Sequence, residues 1–466
     1  MFISGRDQVS LQKQASPQKE NKMGVMPVKR LIISMSLPMM ASMLVQALYN
    51  IVDSIFVSQI NEQALTAVTL AFPIQTLMVA VGSGTGVGIN ALLSKSLGEK
   101  KIDRSDAAAN TGLLLIFFSY LVFLLIGIFG MELFFNTQTS DPQIVEYGIS
   151  YLRIVCCLSF GMLFQMTFER LLQSTGMTVY SMVSQMTGAI FNIIFDPILI
   201  FGYFGFPKLG VAGAAYATVI GQMIGATIGL VLNLKKNKEI HFSFAKILHP
   251  DIETVKRIYF VGVPSILMIS IGSVMSYLMN RILTGFSSTA TAVYGVYFKL
   301  QSFFFMPVFG LNNGLIPVLA YNYGARKKDR IKEALTFSFK LVFVIMFIGM
   351  LIFLLFPEAL LSLFNASGNM REMGVIALRT VAPHFPIAAI GITLGSVFQA
   401  FSRSYYSMII SLARQLIVLI PAAWLLAHVT GNVNMVWWSF LIAEVVSCAL
   451  SIVFFRKVYR EVVEPL

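Results

Sequence analysis

Shifted by 226 residues, the chain lies over itself without a gap from Pro38 to Met182. Pro38 falls on Pro264, Gly84 on Gly310, Gly88 on Gly314, Gly98 on Gly324, Glu132 on Glu358, Gly148 on Gly374 and Arg153 on Arg379. Tyr180-Ser181-Met182 falls on Tyr406-Ser407-Met408. Chance matches between hydrophobic runs do not hold one offset over that distance, so the chain is one architectural unit used twice. Positions shared by the copies are expected to be scaffold. Positions where the copies differ are the better candidates for function.

The repeated unit is built from membrane-length segments. Hydrophobic residues make up 56% of the 466 residues and charged residues 12%, with a mean hydropathy of +0.76, outside the range of soluble domains. Twelve apolar stretches are long enough to span a hydrocarbon core as helices, near 31–56, 67–95, 107–130, 144–168, 175–201, 210–233, 255–282, 293–320, 333–356, 373–398, 404–428 and 433–455. Each copy holds an even number of spans, so both enter the bilayer from the same side. The expectation is an all-α polytopic membrane protein with twelve transmembrane helices. Two six-helix lobes would be related by a pseudo-two-fold along the membrane normal, as in rocking transporters. The expected boundaries are a disordered tail over 1–28, an N-terminal lobe over 29–232, a linker over 233–254, a C-terminal lobe over 255–456 and a second tail over 457–466.

The formal net charge of +12 is explained by topology. Lys and Arg gather in the first tail, the even-numbered loops and the last tail, whereas only Lys208, Arg281 and Arg371 are placed on the opposite side. This positive-inside pattern puts both termini in the cytoplasm and leaves no role for nucleic acid. Residues 1–28 hold no apolar run, so no cleavable signal is expected there. Cys156, Cys157 and Cys448 lie in apolar spans without ligand spacing and read as small packing residues. His241, His249, His384 and His428 fall in loops or at span ends without a paired arrangement, which argues against an intramembrane enzyme. The glycine run from Gly82 to Gly88 follows no strand and recurs in part in the second copy, so it reads as helix packing and not a dinucleotide loop.

An ionisable residue at membrane depth is costly and needs a reason. Arg153 with Arg379, and Glu132 with Glu358, recur and read as structural. Asp53 does not recur: it stands opposite Met279, while Asp196 stands opposite Ala422, Asn192 opposite Val418 and Glu169 opposite Gly395. Asn192 and Asp196 are four apart and share one helix face. Pro197 then disfavours helical geometry at Asp196 and frees a backbone carbonyl. Such a carboxylate can hold a proton or a small hard cation such as Na⁺; an Asp packed against an Asn would read the same. Removal from water disfavours the charged form of a carboxyl group, which proton coupling requires. Glu169 adjoins Arg170 and can pair with it. Glu444, inside the last span, can neutralise Arg414 or Arg379, and the roles of the unmatched Lys299 and Arg414 stay open. Met35, Met39 and Met43 on the first span, with Met275 and Met279 on the seventh, suit a cavity that accepts many shapes, and equally suit helix interfaces.

Taken together, Ser36-Leu37-Pro38, Tyr49-Asn50-Ile51-Val52-Asp53-Ser54-Ile55-Phe56-Val57, Asn192-Ile193-Ile194-Phe195-Asp196-Pro197, Gly213-Ala214-Ala215-Tyr216-Ala217-Thr218, and Pro317 with Tyr321-Asn322-Tyr323-Gly324-Ala325 resemble the multidrug and toxic compound extrusion (MATE) family. The likeness is to its MepA-like and DinF-like branches and runs over about residues 28–456. It implies an antiporter of a bacterial inner membrane, monomeric and without a cofactor, that exports small organic cations in exchange for H⁺ or Na⁺. The family's first-lobe cation site maps onto Asp53, Asn192, Asp196 and Thr218, where protonation of the two Asp residues would bend the first helix and release drug. Met35, Met39, Met43, Glu169, Met275 and Met279 are the expected cavity residues. The seventh and tenth spans lack the acidic residues of the NorM-like pattern, which argues against a Na⁺ site there. Two other functions remain: a lipid-linked oligosaccharide flippase, for which Lys299 and Arg414 are the available cations, and a membrane receptor that does not transport.

Overall fold

A computed structural model describes residues 20–364 and 368–466, so residues 1–19 of the expected tail lie outside the described residues. Among the described residues there are helices and turns but no strand, because backbone groups in lipid must be satisfied within their own segment. Among the described residues ten helices are long and apolar enough to cross a membrane, and two bent pairs, each taken as one span, bring the number to twelve. In order, the first six are Val28–Ser58, Glu62–Gly98, Ile102–Phe129, the pair Pro142–Cys157 with Phe160–Ser174, Thr178–Phe201 and Val211–Lys236. The second six are Ile252–Thr284, Ser288–Gly324, Lys328–Leu355, the pair Gly368–Val381 with His384–Ala400, Ser404–Thr430 and Val433–Val463.

The internal repeat persists as geometry. The second and eighth spans are each 37 residues long and the third and ninth each 28. Lys100 and Arg326 adopt positive φ (59° and 56°) in equivalent turns. The fourth and tenth spans bend by 45° and 52° at equivalent places. One sequence expectation fails locally: the fifth span runs through Pro197 as a single helix, so Asp196 keeps helical geometry. Lipid offers no water to a freed backbone group, and the helix closes around the proline where its neighbours allow it. The copies also differ in the eleventh span, where Ala413–Leu419 is wound as a π-helix, whereas the fifth is α throughout.

The lobes meet along glycines that the two copies share. A Cβ on Gly98 would stand 2.0 Å from Tyr321 O, on Gly324 2.1 Å from Lys95 O, on Gly88 2.2 Å from Ile258 O and on Gly310 2.6 Å from Met40 Cα. Only glycine permits backbones to approach so closely. These contacts all lie in the halves of the first, second, seventh and eighth spans nearest the linker. Further along the eighth span, Gly295 has no such neighbour within 4 Å, and Phe303 keeps 62% of its surface open. The lobes are therefore pressed together at the linker face and part toward the other.

Both expected tails are folded where they are described. Lys22–Val25 forms a helical turn capped by Asn21, and Met23 is fully buried. Asn21 Nδ2 donates to Thr175 O (3.0 Å) and to Glu239 Oε1 (3.2 Å), on the first lobe and the linker. From the second lobe, Arg330 Nη2 donates to Met23 O (3.0 Å) and Met26 O (2.7 Å), and Lys327 Nζ reaches Glu20 at 2.6 Å. The segment is a strap across both lobes. At the other end, Val458, Val462 and Val463 pack into the core of the linker face. The linker is itself pinned: His241 N donates to Asp106 Oδ1 at 2.8 Å, and Ser243 N to Asn110 Oδ1 at 2.9 Å.

Candidate functional site

The fifth and sixth spans touch through glycine, since a Cβ on Gly221 would lie 2.6 Å from Gly188 O and 3.0 Å from Asn192 Cβ. That approach lets Asn192 reach across. Its Nδ2 donates to Thr218 Oγ1 at 3.3 Å and, one turn along its own helix, to Asp196 Oδ1 at 3.5 Å. Asp53 comes from the first span, within electrostatic reach of Asp196. Hydrogen bonds thus join Asn192, Asp196 and Thr218 inside the first lobe, with Asp53 on the neighbouring first span.

Asp53 Oδ1, Asp196 Oδ2 and Asn192 Oδ1 are each buried and accept no hydrogen bond. Orphaned buried oxygens are rare, because desolvation is paid without compensation. Three of them in one place fit a proton or a small cation shared between the two carboxylates. Among the described residues no group of three or more His, Cys, Asp or Glu side chains is placed to hold a metal. The donor set is two carboxylates, an amide and a hydroxyl, which suits a hard cation and not a transition metal.

Tyr49 and Tyr151 border this centre, and both lie in the field of Asp53 and Asp196. Tyr151 OH accepts from Gln75 Nε2 at 3.0 Å. Sequence reasoning missed Tyr151 and Gln75, which arrive from the fourth and second spans with no local pattern to mark them. Glu169 is buried and accepts from Gln165 Nε2 at 3.0 Å, and Arg170 does not turn toward it. Successive helix residues point about 100° apart, and Arg170 points at the seam, donating to Gln173 Oε1 (2.9 Å), Ser83 Oγ (3.4 Å) and Asn313 Oδ1 of the second lobe (3.1 Å). The available signal was its repeat partner, Ser396.

The methionines divide. Met35 and Met39 are fully buried near the seam and Met279 in the core of the second lobe, whereas Met43 and Met275 are half-buried. Met275 Sδ accepts from Tyr294 OH at 3.6 Å. In the second lobe Arg414 Nη1 lies 3.2 Å from Glu444 Oε2, while Arg371 and not Arg379 pairs with Glu358. Lys299 is exposed on the eighth span, about three turns from Gly310 on the same helix face.

A twice-used bundle of six helices, with its unsatisfied polar groups at membrane depth, is the build of a secondary transporter. The MatE family model matches residues 38–198 and 264–425, one stretch in each copy. The chain belongs to that family, the multidrug and toxic compound extrusion transporters, which are not enzymes. It is 27% identical to the multidrug export protein MepA of Staphylococcus haemolyticus (strain JCSC1435), over 89% of this chain and 90% of that protein. It is 26% identical to an FAD transporter of Shewanella oneidensis, over 87% of this chain and 89% of that protein. Its fold matches that of a multidrug resistance MATE transporter solved in an outward-facing conformation, with a TM-score of 0.88 at 24% identity over 96% and 99% of the two chains.

Proposed function

We propose that this protein exports organic cations across a bacterial inner membrane in exchange for H⁺ or Na⁺, by alternating access, with the ion held at Asp53, Asn192, Asp196 and Thr218. The observation that carries this is the set of three orphaned oxygens on Asp53, Asn192 and Asp196. Two carboxylates brought together away from water repel each other and favour a bound cation between them. A coupling ion and a cationic drug neutralise the same charge, so occupancy by one weakens the other, which is the requirement for exchange.

The Lys- and Arg-rich linker face is cytoplasmic on this reading, with both termini there. The form with its lobes pressed together at that face opens outward. Arrival of H⁺ or Na⁺ from outside displaces the drug; the lobes then part along the shared glycines, and the emptied carboxylates take drug from the cytoplasm. Met43, Met275 and Glu169 border the drug path, and one chain is the working unit. Sequence likeness to MepA proteins over most of both chains supports an exported drug.

Equilibrium binding tests the exchange. A fluorescent organic cation bound to the purified protein should be released by acidification or by Na⁺, competitively. Asp53→Asn and Asp196→Asn should bind it weakly and lose that competition. Ion-insensitive binding in the intact protein would contradict the assignment.

A further inference from the structure

The repeat relates two clefts at the linker face, and the chain itself fills one of them. There Arg330 and Lys327 donate to backbone and side-chain oxygens of the strap. A Cβ on Gly176 would stand 3.1 Å from Lys22 Cε, so the turn before the fifth span closes on the strap from the side. The offset of 226 carries Arg330 to Arg104, Lys327 to Lys101 and Gly176 to Ser402. Arg104 and Ser402 line a second cleft, of about 350 Å³, between the lobes. By the same offset its strap would be residues 246–252, but none of them lines it. Asp106, which stands opposite Lys332 in the repeat, holds Lys246 on the third span instead, at 3.7 Å.

The walls of this second cleft are two helix faces. Leu92, Lys95 and Glu99 recur at steps of three and four on the second span, and Glu253, Lys256, Arg257 and Phe260 do so on the seventh. Both faces are charged toward the linker and apolar further in, where Phe260 is 53% exposed. Lys95, Arg104, Lys256 and Arg257 face only Glu99 and Glu253. Those carboxylates are already shared: Glu99 lies 3.9 Å from Lys95, 2.8 Å from Lys101 and 3.8 Å from Arg104, and Glu253 pairs with Arg257. Lys256 is exposed and has no ion-pair partner among the described residues. Lys95 also stands in the field of Arg257 of the other lobe, so like charges are held together across a seam that glycines close. In the related cleft the strap's oxygens answer the cations. Residues 1–19 carry Arg6, Lys13 and Lys19 against Asp7, the wrong sign to do so here.

We infer that the second cleft binds the phosphodiester head group of an anionic lipid from the leaflet at the linker face. Phosphate oxygens accept from Arg104 of the first lobe and from Lys256 and Arg257 of the second, as the strap's carbonyls accept from Arg330. A guanidinium presents two parallel donors to a phosphate, and basic pockets between membrane helices hold such head groups. An acyl chain then lies over Leu92 and Phe260, which selects a lipid over free phosphate. Because both lobes hold the anion, it favours the form in which the linker face is closed. The inference is independent of the exported solute and of the coupling ion.

Native mass spectrometry of the purified protein, with phosphatidylglycerol or phosphatidylcholine of the same acyl chains added, reads the site. The intact protein should retain one phosphatidylglycerol with an affinity at least about tenfold above that for phosphatidylcholine. K256Q/R257Q should lower that affinity by about 30-fold, the scale of two basic residues at an anionic surface, and Arg104→Gln, in the other lobe, by about fivefold. K235Q/K236Q removes the same charge from exposed positions at the end of the sixth span, outside the cleft, and should bind as the intact protein does. An equal loss in K235Q/K236Q would reduce the effect to general surface charge and overturn the site, as would equal affinity of the intact protein for the two lipids. Displacement of the bound lipid by inorganic phosphate would overturn the choice of a lipid. Hydrogen exchange reads the closure: phosphatidylglycerol in place of phosphatidylcholine should slow the amides of residues 95–101 in the intact protein and not in K256Q/R257Q. The same exchange in both lipids would contradict the link to the closed form.

Discussion

A methyl group placed on Gly324 would stand 2.1 Å from Lys95 O, where ordinary contact begins at 3.4 Å, so the second and eighth helices must separate by about 1.3 Å to admit it. The obstacle is backbone, which cannot rotate away as a side chain can. Overpacking of a close-packed interface costs about 1–3 kcal/mol. The cost falls only on the form in which the linker face is closed, since parted lobes do not hold Gly324 against Lys95. Gly324→Ala should therefore move the equilibrium toward the linker-open form by about 5- to 150-fold. Spin labels on Asp103→Cys and Lys332→Cys, both exposed on that face, in a chain with its native cysteines replaced, report the separation by pulsed dipolar spectroscopy. The long-distance population should grow in Gly324→Ala and in Gly98→Ala. Gly295→Ala, with open space around it, is the control. An unchanged distance distribution in both seam variants, or the same change in Gly295→Ala, would refute the reasoning.

Other expectations concern the strap and the polar ties. Arg330→Ala leaves the Met26 carbonyl without its donor and the Met23 carbonyl with Asn322 alone, a loss of about 1–3 kcal/mol, and should speed amide exchange over residues 20–27. Glu20 is held below its usual 4.5, first by the hydrogen bond from Lys327 and then by that residue's charge. A depressed carboxyl contributes fully above its unfolded pKa and loses that contribution as pH falls through the depressed value. Strap protection should therefore persist at pH 4.5 and fade in stronger acid, and Glu20→Gln should abolish that step in exchange measured against pH. Arg170→Lys keeps the charge but loses the planar fork that spans Gln173 and Asn313. It should weaken closure of the seam, seen with the same spin labels, while dye affinity changes by less than about threefold, within the usual range for sites out of contact.

Much of the architecture was readable before any coordinates because repetition and hydropathy act at long range in the sequence. The constant offset predicted equal helices, and the second and eighth spans are indeed of equal length. The Asn192–Asp196 pair was legible because both residues share one helix face. What could not be read depended on helices from distant segments meeting. Nothing around Gln75 or Tyr151 announces that they border Asp53, and the direction of Arg170 is set by Asn313 of the other lobe. The strap was hidden for another reason: one buried and one half-buried methionine in a polar stretch leave no periodic pattern, yet Arg330 and Asn322 capture its backbone carbonyls. Pro197 misled because packed neighbours and local adjustment can re-satisfy the carbonyl it frees, so a proline need not break a helix buried among others in the membrane.

The most direct test of the account is uptake of a fluorescent organic cation into proteoliposomes under an imposed pH gradient or an imposed Na⁺ gradient, with the intact protein, Asp53→Asn and Asp196→Asn. The account predicts uptake driven by one of the two gradients and abolished in both variants. Uptake that survives in both variants, or dye that binds but moves under neither gradient, would contradict ion-coupled export through the first lobe.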